Sequence, residues 1–510
     1  MSTSAGRDHT PSALPGWLAA ALVFLSSGAV LVLEIVGLRL VGPYVGVTLQ
    51  TSSAVIGVAL AAIAYGAWTG GWLADRLDAA ALLAPTLLLA AVATAVVLPI
   101  VRYAGVALRG GDPGNVLLLT ILVLFLPAAL LAGVTPLVVK LQLADLKQTG
   151  RVVGRLSGIG TLGGITATLI TGFVLVAALS TSVIVLSLAG ALAATAGLLW
   201  TYLNRIHRAW PGGSPRLRAV LIAVGLTGGW LAAIAPDPCD VETAYHCATV
   251  TTDSQRPAGR VLWLNSARHS YVDLNEPTHL EFAYAQWMAA LVDTMAPVGA
   301  PLGVLHLGGG GFTLPKYLAA TRPGSDNLVL ELDAGVVELD RSQLGLRTGP
   351  QLRVTTGDAR VNLAALPTDS RDLVIGDAFG HLSVPWHLTT RELAEDVQRV
   401  LRPGGAYALN LIDGPAGAFA RAESATLAAV FDTVALIAPA DSLAGNSGSN
   451  WVLLAADAPL PLAEVQARLA GSDRTPQLVT GPALAEFTAD AQVLTDDHAP
   501  VDQLLTGWPE

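Results

Sequence analysis

Seven apolar runs of about 20 residues fill the first half of the chain, near 17–38, 51–74, 79–101, 114–139, 156–179, 181–203 and 217–236. That is the length a helix needs to cross bilayer hydrocarbon. Hydrocarbon offers backbone groups no hydrogen-bond partner, so each run is expected to be helical. The first run is too long for a secretory signal and lacks a small-residue cleavage site. Trp17, Trp72, Trp200 and Trp230 stand near run ends, where indole rings favour the interface. Gly70-Gly71 and the set Gly158, Gly160, Gly163 and Gly164 permit close helix packing. Glu34 lies inside the first run, with Arg39 five residues on. Charges at such depth are costly and mark function, unless they reach an interface or pair with each other.

The composition then changes. Residues 1–236 carry thirteen Lys/Arg and six Asp/Glu, a net +7; residues 237–510 carry sixteen and thirty-three, a net −17. The chain therefore reads as a transmembrane domain of about seven helices (1–236), a small N-terminal β/linker region (237–295) and a soluble α/β domain (296–510). A domain at −17 is repelled by phosphate backbones, which excludes nucleic acid as a partner. The bilayer is the expected partner of the first half. Basic residues crowd alternate loops: Arg76; Lys140, Lys147, Arg151 and Arg155; Arg205, Arg208, Arg216 and Arg218. The positive-inside rule puts the N-terminus in the cytoplasm, and seven spans then put the soluble half outside. Cys239 and Cys247 at the junction are either two free thiols or a local disulfide, and a disulfide favours an oxidising compartment.

Beyond residue 237 short apolar runs alternate with helical stretches, the pattern of a mostly parallel sheet with helices on both faces. Gly303 to Leu307 reads as a strand, followed at once by Gly308, Gly309, Gly310 and Gly311 and a helix from Thr313 to Ala320. Glycines there let a ligand approach the backbone. The next strand ends at Glu331, about 20 positions on, where a carboxylate holds both ribose hydroxyls of a nucleoside. No Lys or Arg sits in the loop, and helical Lys316 is the nearest phosphate candidate, so a nucleoside without phosphates fits better than a dinucleotide. After the third strand come Asp358 and Ala359; Asp358 either accepts the adenine amino group or caps the helix that follows. The fourth strand runs into Asp377, at the carboxyl end of a central strand. A carboxylate there holds or deprotonates an amine, unless it serves only the turn. A fifth strand (Ala406 to Ile412) and two more near 433–438 and 451–456 complete a seven-stranded sheet. His269, His279, His381 and His387 fall on different elements, with no HExxH or paired cysteines, so no metal is expected.

Taken jointly and in order, these motifs resemble the spermidine synthase family, most closely its membrane-fused bacterial branch. The resemblance rests on Val32-Leu33-Glu34-Ile35 and Arg39 through Gly46 in the first half. In the second half it rests on Glu242 to Tyr245, Leu307 to Gly311, Glu331-Leu332-Asp333, Gly357-Asp358-Ala359, Asp377, Val384 to Thr390 and Leu494 to Asp497. It implies a multi-pass helical membrane domain followed by a Rossmann-like sheet of the class I methyltransferase and spermidine synthase type. It also implies transfer of an aminopropyl group from decarboxylated S-adenosylmethionine to a small-molecule amine. Asp377 would then be the proton acceptor; Gly308, Gly309 and Gly310, Glu331, Asp358, Ala359 and His246 would bind the nucleoside co-substrate. The chain departs from the family at the amine end. Gly311 stands where the family has an Asp that grips the donor's amine, and Gly380 where a second Asp follows the catalytic one. The family's Tyr-His-Glu run corresponds to His279-Leu280-Glu281, and a binding Gln near His246 is replaced.

Two rival readings share this scaffold: an S-adenosylmethionine-dependent methyltransferase, and a non-catalytic transport or sensing protein with a nucleoside-binding domain. The oligomeric state, a homo-oligomer included, is left open. The localisation is a multi-pass cell-membrane protein whose charge pattern and cysteine pair favour an external soluble half, against the cytosolic supply of S-adenosyl compounds.

Overall fold

The computed structural model describes residues 14–505, apart from 111, 144–145, 207–214, 236, 266, 381–382 and 475. It divides into two compact units, Met1–Pro238 and Cys239–Glu510.

The first unit is helical. Its helices are α1 (Gly16–Val45), α2 (Leu49–Arg76), α3 (Ala79–Ala107), α4 (Pro113–Gln142), α5 (Leu146–Ala178) and α6 (Thr181–Ile206). Among the described residues these six are long and apolar enough to cross a bilayer. The seventh expected run also coils, as α7 (Pro215–Ile234), but its described apolar stretch, Ile222–Ile234, is shorter than a span. Glycines set the packing distance. A Cβ on Gly66 of α2 would lie 2.1 Å from the Ala129 carbonyl oxygen, and one on Gly163 of α5 would lie 2.3 Å from that of Phe24. Helices α2 and α4, and α1 and α5, thus meet backbone to backbone, the contact that replaces hydrophobic driving force within lipid. Five-residue π-helical segments interrupt α4 at Ile121–Phe125 and α5 at Thr171–Leu175. Arg102 of α3 is buried; its guanidinium donates to the carbonyls of Ala232 (2.5 Å) and Ala235 (3.1 Å), to the Ser182 hydroxyl and to Asp237. It satisfies carbonyls that the end of α7 leaves orphaned.

The second unit opens with a four-stranded antiparallel meander, β1 (Val241–Glu242), β2 (Cys247–Thr252), β3 (Gly259–Leu264) and β4 (Ala267–Asp273), in that order. Of the two cysteine states open from sequence, the disulfide is the one found: Cys239 is bonded to Cys247, with Cα atoms 5.3 Å apart. The main sheet comprises β5 (Gly303–Leu307), β6 (Asp326–Glu331), β7 (Leu352–Thr356), β8 (Arg371–Gly376), β9 (Leu401–Asp413), β10 (Thr433–Pro439), β11 (Ser449–Ala456) and β12 (Pro476–Thr480). Their order is β12-β10-β11-β9-β8-β5-β6-β7. Strands β7, β6, β5, β8 and β9 are parallel, and β11, β10 and β12 continue the sheet antiparallel. The sheet therefore has eight strands, not the seven expected. The extra strand, β12, opens on Pro476 and is mostly half-exposed. Proline is tolerated at the start of an edge strand, and so short a run carries little apolar signal. Alternation along each strand feeds two cores. Leu305 and Leu307 of β5 face one, with Leu328 and Leu409; Val304 faces the other, with Leu373 and Ala408.

Candidate active site

The order of the parallel strands reverses at β5, whose neighbours are β6 on one side and β8 on the other. Open α/β sheets bind ligands in the crevice at that reversal, at the carboxyl ends of the strands. Four singled-out positions converge there: Gly308 follows β5, Glu331 ends β6, Asp358 lies two residues beyond β7, and Asp377 follows β8.

Gly308 is the joint. Its φ is +94°, and a Cβ would sit 2.4 Å from the Asp377 carbonyl oxygen, so only glycine lets the two crossing backbones touch. Gly309 and Gly310 donate their N–H groups to one Glu331 carboxylate oxygen, at 2.7 and 3.3 Å, and Asp333 donates to the other at 2.9 Å. Glu331 is thereby held fast against the loop, with Oε2 taken up by two N–H groups and Oε1 retaining a lone pair for a ligand hydroxyl. His246, in the β1–β2 turn, reaches this cluster only through Asp333, whose Oδ2 lies 2.9 Å from its Nδ1. Thr243 donates its hydroxyl to the same carboxylate. Burial pulls the Asp333 carboxyl up, but the hydrogen bonds from His246 and Thr243 outweigh it and hold it below its usual range. Lys316 does not face the ligand crevice as a phosphate group would require. Its ammonium donates to the carbonyls of Gly311 (2.9 Å) and Leu344 (2.6 Å), bracing the glycine loop from beneath, and burial lowers its pKa.

Asp358 has the capping geometry: its Oδ1 accepts from the Val361 N–H at 3.1 Å, at the start of the helix Ala359–Ala364. Its Oδ2 lies 3.0 Å from His387 Nε2, leaving Ala359 at the head of the same helix. These two residues are not bonded to the Gly308–Glu331 cluster; they sit on the neighbouring strand end, with His387 as an added partner.

Asp377 is half-buried. Its Oδ1 accepts from Asn410 Nδ2 at 2.8 Å, and its Oδ2 from the Tyr284 hydroxyl at 3.2 Å. Asn410 in turn accepts from Asn450 Nδ2 at 3.1 Å. Burial pushes the Asp377 carboxyl up to about 6, against the lowering effect of the Asn410 and Tyr284 hydrogen bonds. Burial, reinforced by the Asp377 charge, pushes the Tyr284 phenol well above its ordinary value, so it remains a donor. Beside them lies a cavity of about 310 Å³ walled by Arg268, Glu281, Tyr284, Trp287, Phe379 and Asn410. Leu280 is packed in the core and does not line the cavity; Tyr284, in the first turn of the helix Ala283–Val292, meets Asp377.

The bare positions have structural reasons. A Cβ on Gly311 would lie 2.8 Å from the Ser270 Cβ, and the Ser270 hydroxyl accepts from the Gly311 N–H at 2.9 Å. Serine from β4 thus fills the space that an Asp side chain would use. Gly380 donates its N–H to the Ser383 carbonyl. Among the described residues no group of three or more His, Cys, Asp or Glu is arranged to hold a metal; His381 lies outside them.

No family model matches the chain. A polyamine aminopropyltransferase of Vibrio vulnificus is 29% identical over 216 residues, covering 40% of this chain and 70% of that relative. One from Chromobacterium violaceum is 23% identical over 146 residues, 28% of this chain and 54% of the relative. A probable spermidine synthase structure from Corynebacterium glutamicum aligns with 97% of its own chain and 51% of this one, at 29% identity and a TM-score of 0.49. The second half of this chain is thus similar to polyamine aminopropyltransferases and spermidine synthases. In this synthase-like unit the residues missed in the sequence are Ser270, Tyr284, Asn410 and Asn450, while His387 was weighed only as a metal ligand. Asn410 left a readable trace, as an isolated amide in the apolar run Ala406 to Ile412. A polar group buried in such a strand needs a partner. The others gave no pattern of their own.

Proposed function

We propose that the chain is a membrane-tethered aminopropyltransferase that moves the aminopropyl group of decarboxylated S-adenosylmethionine to a small amine. The observation that carries this is Asp377: a half-buried carboxylate with its pKa raised to about 6, aimed by Asn410 and Tyr284, beside a cavity at the carboxyl ends of the strands. The sulfonium is already a good leaving group, so the protein must supply a neutral amine in line with the reacting carbon. The amine lone pair forms the new C–N bond while the C–S bond breaks and its electron pair remains on sulfur, giving methylthioadenosine. Asp377 takes the proton that the amine sheds. A carboxylate near 6 is ionised at neutral pH, yet basic enough to accept a proton from an attacking amine. Glu331 and the loop from Gly308 to Gly310 suit the ribose, and the Asp358–Ala359 helix start suits the adenine edge.

The second reading, a methyltransferase, is favoured by one observation: Ser270 occupies the place of the carboxylate that would grip the donor's amine. Purified protein incubated with each donor and a panel of amines separates the two. Methylthioadenosine from the decarboxylated donor supports aminopropyl transfer; S-adenosylhomocysteine from the full donor supports methyl transfer. Release of neither product refutes both.

A further inference from the structure

The cavity beside Asp377 follows the carboxyl edge of the sheet. Asp377 after β8, Asn410 on β9 and Asn450 on β11 line it in strand order, and Asp473 and Arg474, in the turn before β12, line it further along. Neighbouring strands lie about 4.8 Å apart, so two strand steps carry the cavity roughly 10 Å from Asp377 to Asn450, with the turn beyond. Gly308, Glu331 and Asp358 are not among its described lining residues. It is therefore the acceptor's side of the crevice, not the nucleoside's.

Besides Asp377, two carboxylates and two guanidiniums line it: Glu281, Asp473, Arg268 and Arg474. Both carboxylates are engaged. Glu281 Oε1 accepts from Arg268 Nη2 at 3.4 Å, and its Oε2 lies 3.3 Å from His279 Nε2. Gln286 clasps Asp473 from two sides: its Nε2 donates to Asp473 Oδ2 at 2.9 Å, and its Oε1 accepts from the Asp473 N–H at 3.0 Å. The guanidiniums have donors to spare. Arg268 gives Glu281 one long bond and lies over the Phe282 ring, 4.7 Å from its centroid. Arg474 is exposed and makes no hydrogen bond or ion pair among the described residues. Its φ is +64°, a left-handed conformation that costs a residue with a side chain and persists where the surroundings fix it. The clasp on Asp473 is such a constraint, and it keeps an unpaired guanidinium on the cavity wall.

We propose that the acceptor is an aliphatic amine with a carboxylate at its far end, its amine at Asp377 and its carboxylate on Arg474. A guanidinium meets a carboxylate with two parallel N–H bonds, which suits this group better than a point charge would. The second ammonium of a diamine would instead face that guanidinium, while Glu281 and Asp473 are already committed to their own partners. The assignment rests on the reading of this cavity as the acceptor's side of the aminopropyl transfer proposed above, and names the class of amine that it takes.

The test uses the full chain in detergent, loaded with methylthioadenosine, and calorimetric titration with acceptors that differ only at the far end. These are the aminoalkanoate, the diamine and the alkylamine, each with four and with six carbons. At one of the two lengths the aminoalkanoate is expected to bind about tenfold tighter than its diamine and alkylamine counterparts. Arg474→Gln is expected to erase that preference, and Arg474→Glu to turn it towards the diamine, a gain that misfolding does not mimic. A diamine or alkylamine that equals the aminoalkanoate at both lengths, no binding of either aminoalkanoate, or a preference that survives Arg474→Glu would overturn the proposal. Methylthioadenosine release from the decarboxylated donor is read separately. An aminoalkanoate that binds with this preference and releases none refutes the transfer reaction but not the ligand class; release with diamines alone overturns the ligand class and leaves the transfer standing.

Discussion

Replacing Asp377 with Asn tests whether its burial is as costly as its environment implies. The side chains are nearly isosteric, and the hydrogen bonds survive: the Asn oxygen accepts from Asn410, and its NH₂ donates to Tyr284, whose hydroxyl turns to accept. What disappears is the charge. The carboxyl rises from 3.8 to about 6 on folding, mainly by desolvation. A rise of that size corresponds to about 3 kcal/mol between the two protonation states. Because the folded value is the higher one, Asp377 favours folding most below pH 4, and that contribution is lost as pH climbs through 6. The Asn variant should therefore match the parent near pH 4 and exceed it by about 3 kcal/mol at pH 8, roughly 6–12 °C in melting temperature for a unit of this size. Its turnover should fall about 10²- to 10⁴-fold. Melting curves of the synthase-like transition across pH 4–8, read beside methylthioadenosine release, check both. A stability difference that does not vary with pH, or a variant weaker at pH 8, refutes the desolvation argument. Unchanged turnover refutes the proton-acceptor role.

Four further outcomes are expected. Gly311→Asp drives a Cβ into Ser270 and should cost about 1–3 kcal/mol, with Ser270→Gly restoring part of the loss, as melting of the single and double variants would show. Asn450→Ala removes the support of Asn410 and should lower kcat several-fold with little change in KM, since no atom touching the nucleoside moves. Cys247→Ser opens the loop to Cys239 and should destabilise the start of the meander by about 2–3 kcal/mol, seen as faster proteolysis near residue 250. Arg102→Leu leaves the Ala232 and Ala235 carbonyls unsatisfied and should cost about 3–5 kcal/mol, detected as earlier unfolding of the purified protein in detergent.

How much was legible from sequence follows from where each signal lives. Apolar runs of bilayer length are a bulk property, so six of the expected spans coincide with α1 to α6. Strands β5, β6, β8, β9, β10 and β11 show because buried strands must be continuously apolar, and β7, exposed along most of its length, shows through its β-branched residues. β12 hides because an edge strand bears little of that constraint. The glycine loop, Glu331 and Asp377 could be read because backbone approach, a strand-end carboxylate and their spacing are local features. Tyr284 could not, since its role depends on a helix from outside the sheet folding over β8. Ser270 reaches Gly311 across forty-one positions, a pairing no spacing rule contains.

The contact between Gly308 and the Asp377 carbonyl has a consequence for how such a protein diversifies. The glycine loop and the strand end that carries Asp377 are interlocked main chain against main chain, so neither can drift without dragging the other. Changes of substrate must enter through removable walls: β4 with Arg268 and Ser270, and the helix that carries Tyr284 and Trp287. In this chain it is a wall, β4, that has put a serine in the place of a carboxylate while the interlock stays intact. Directed libraries aimed at new acceptors should therefore randomise those walls and leave residues 308–310 and 377–378 alone.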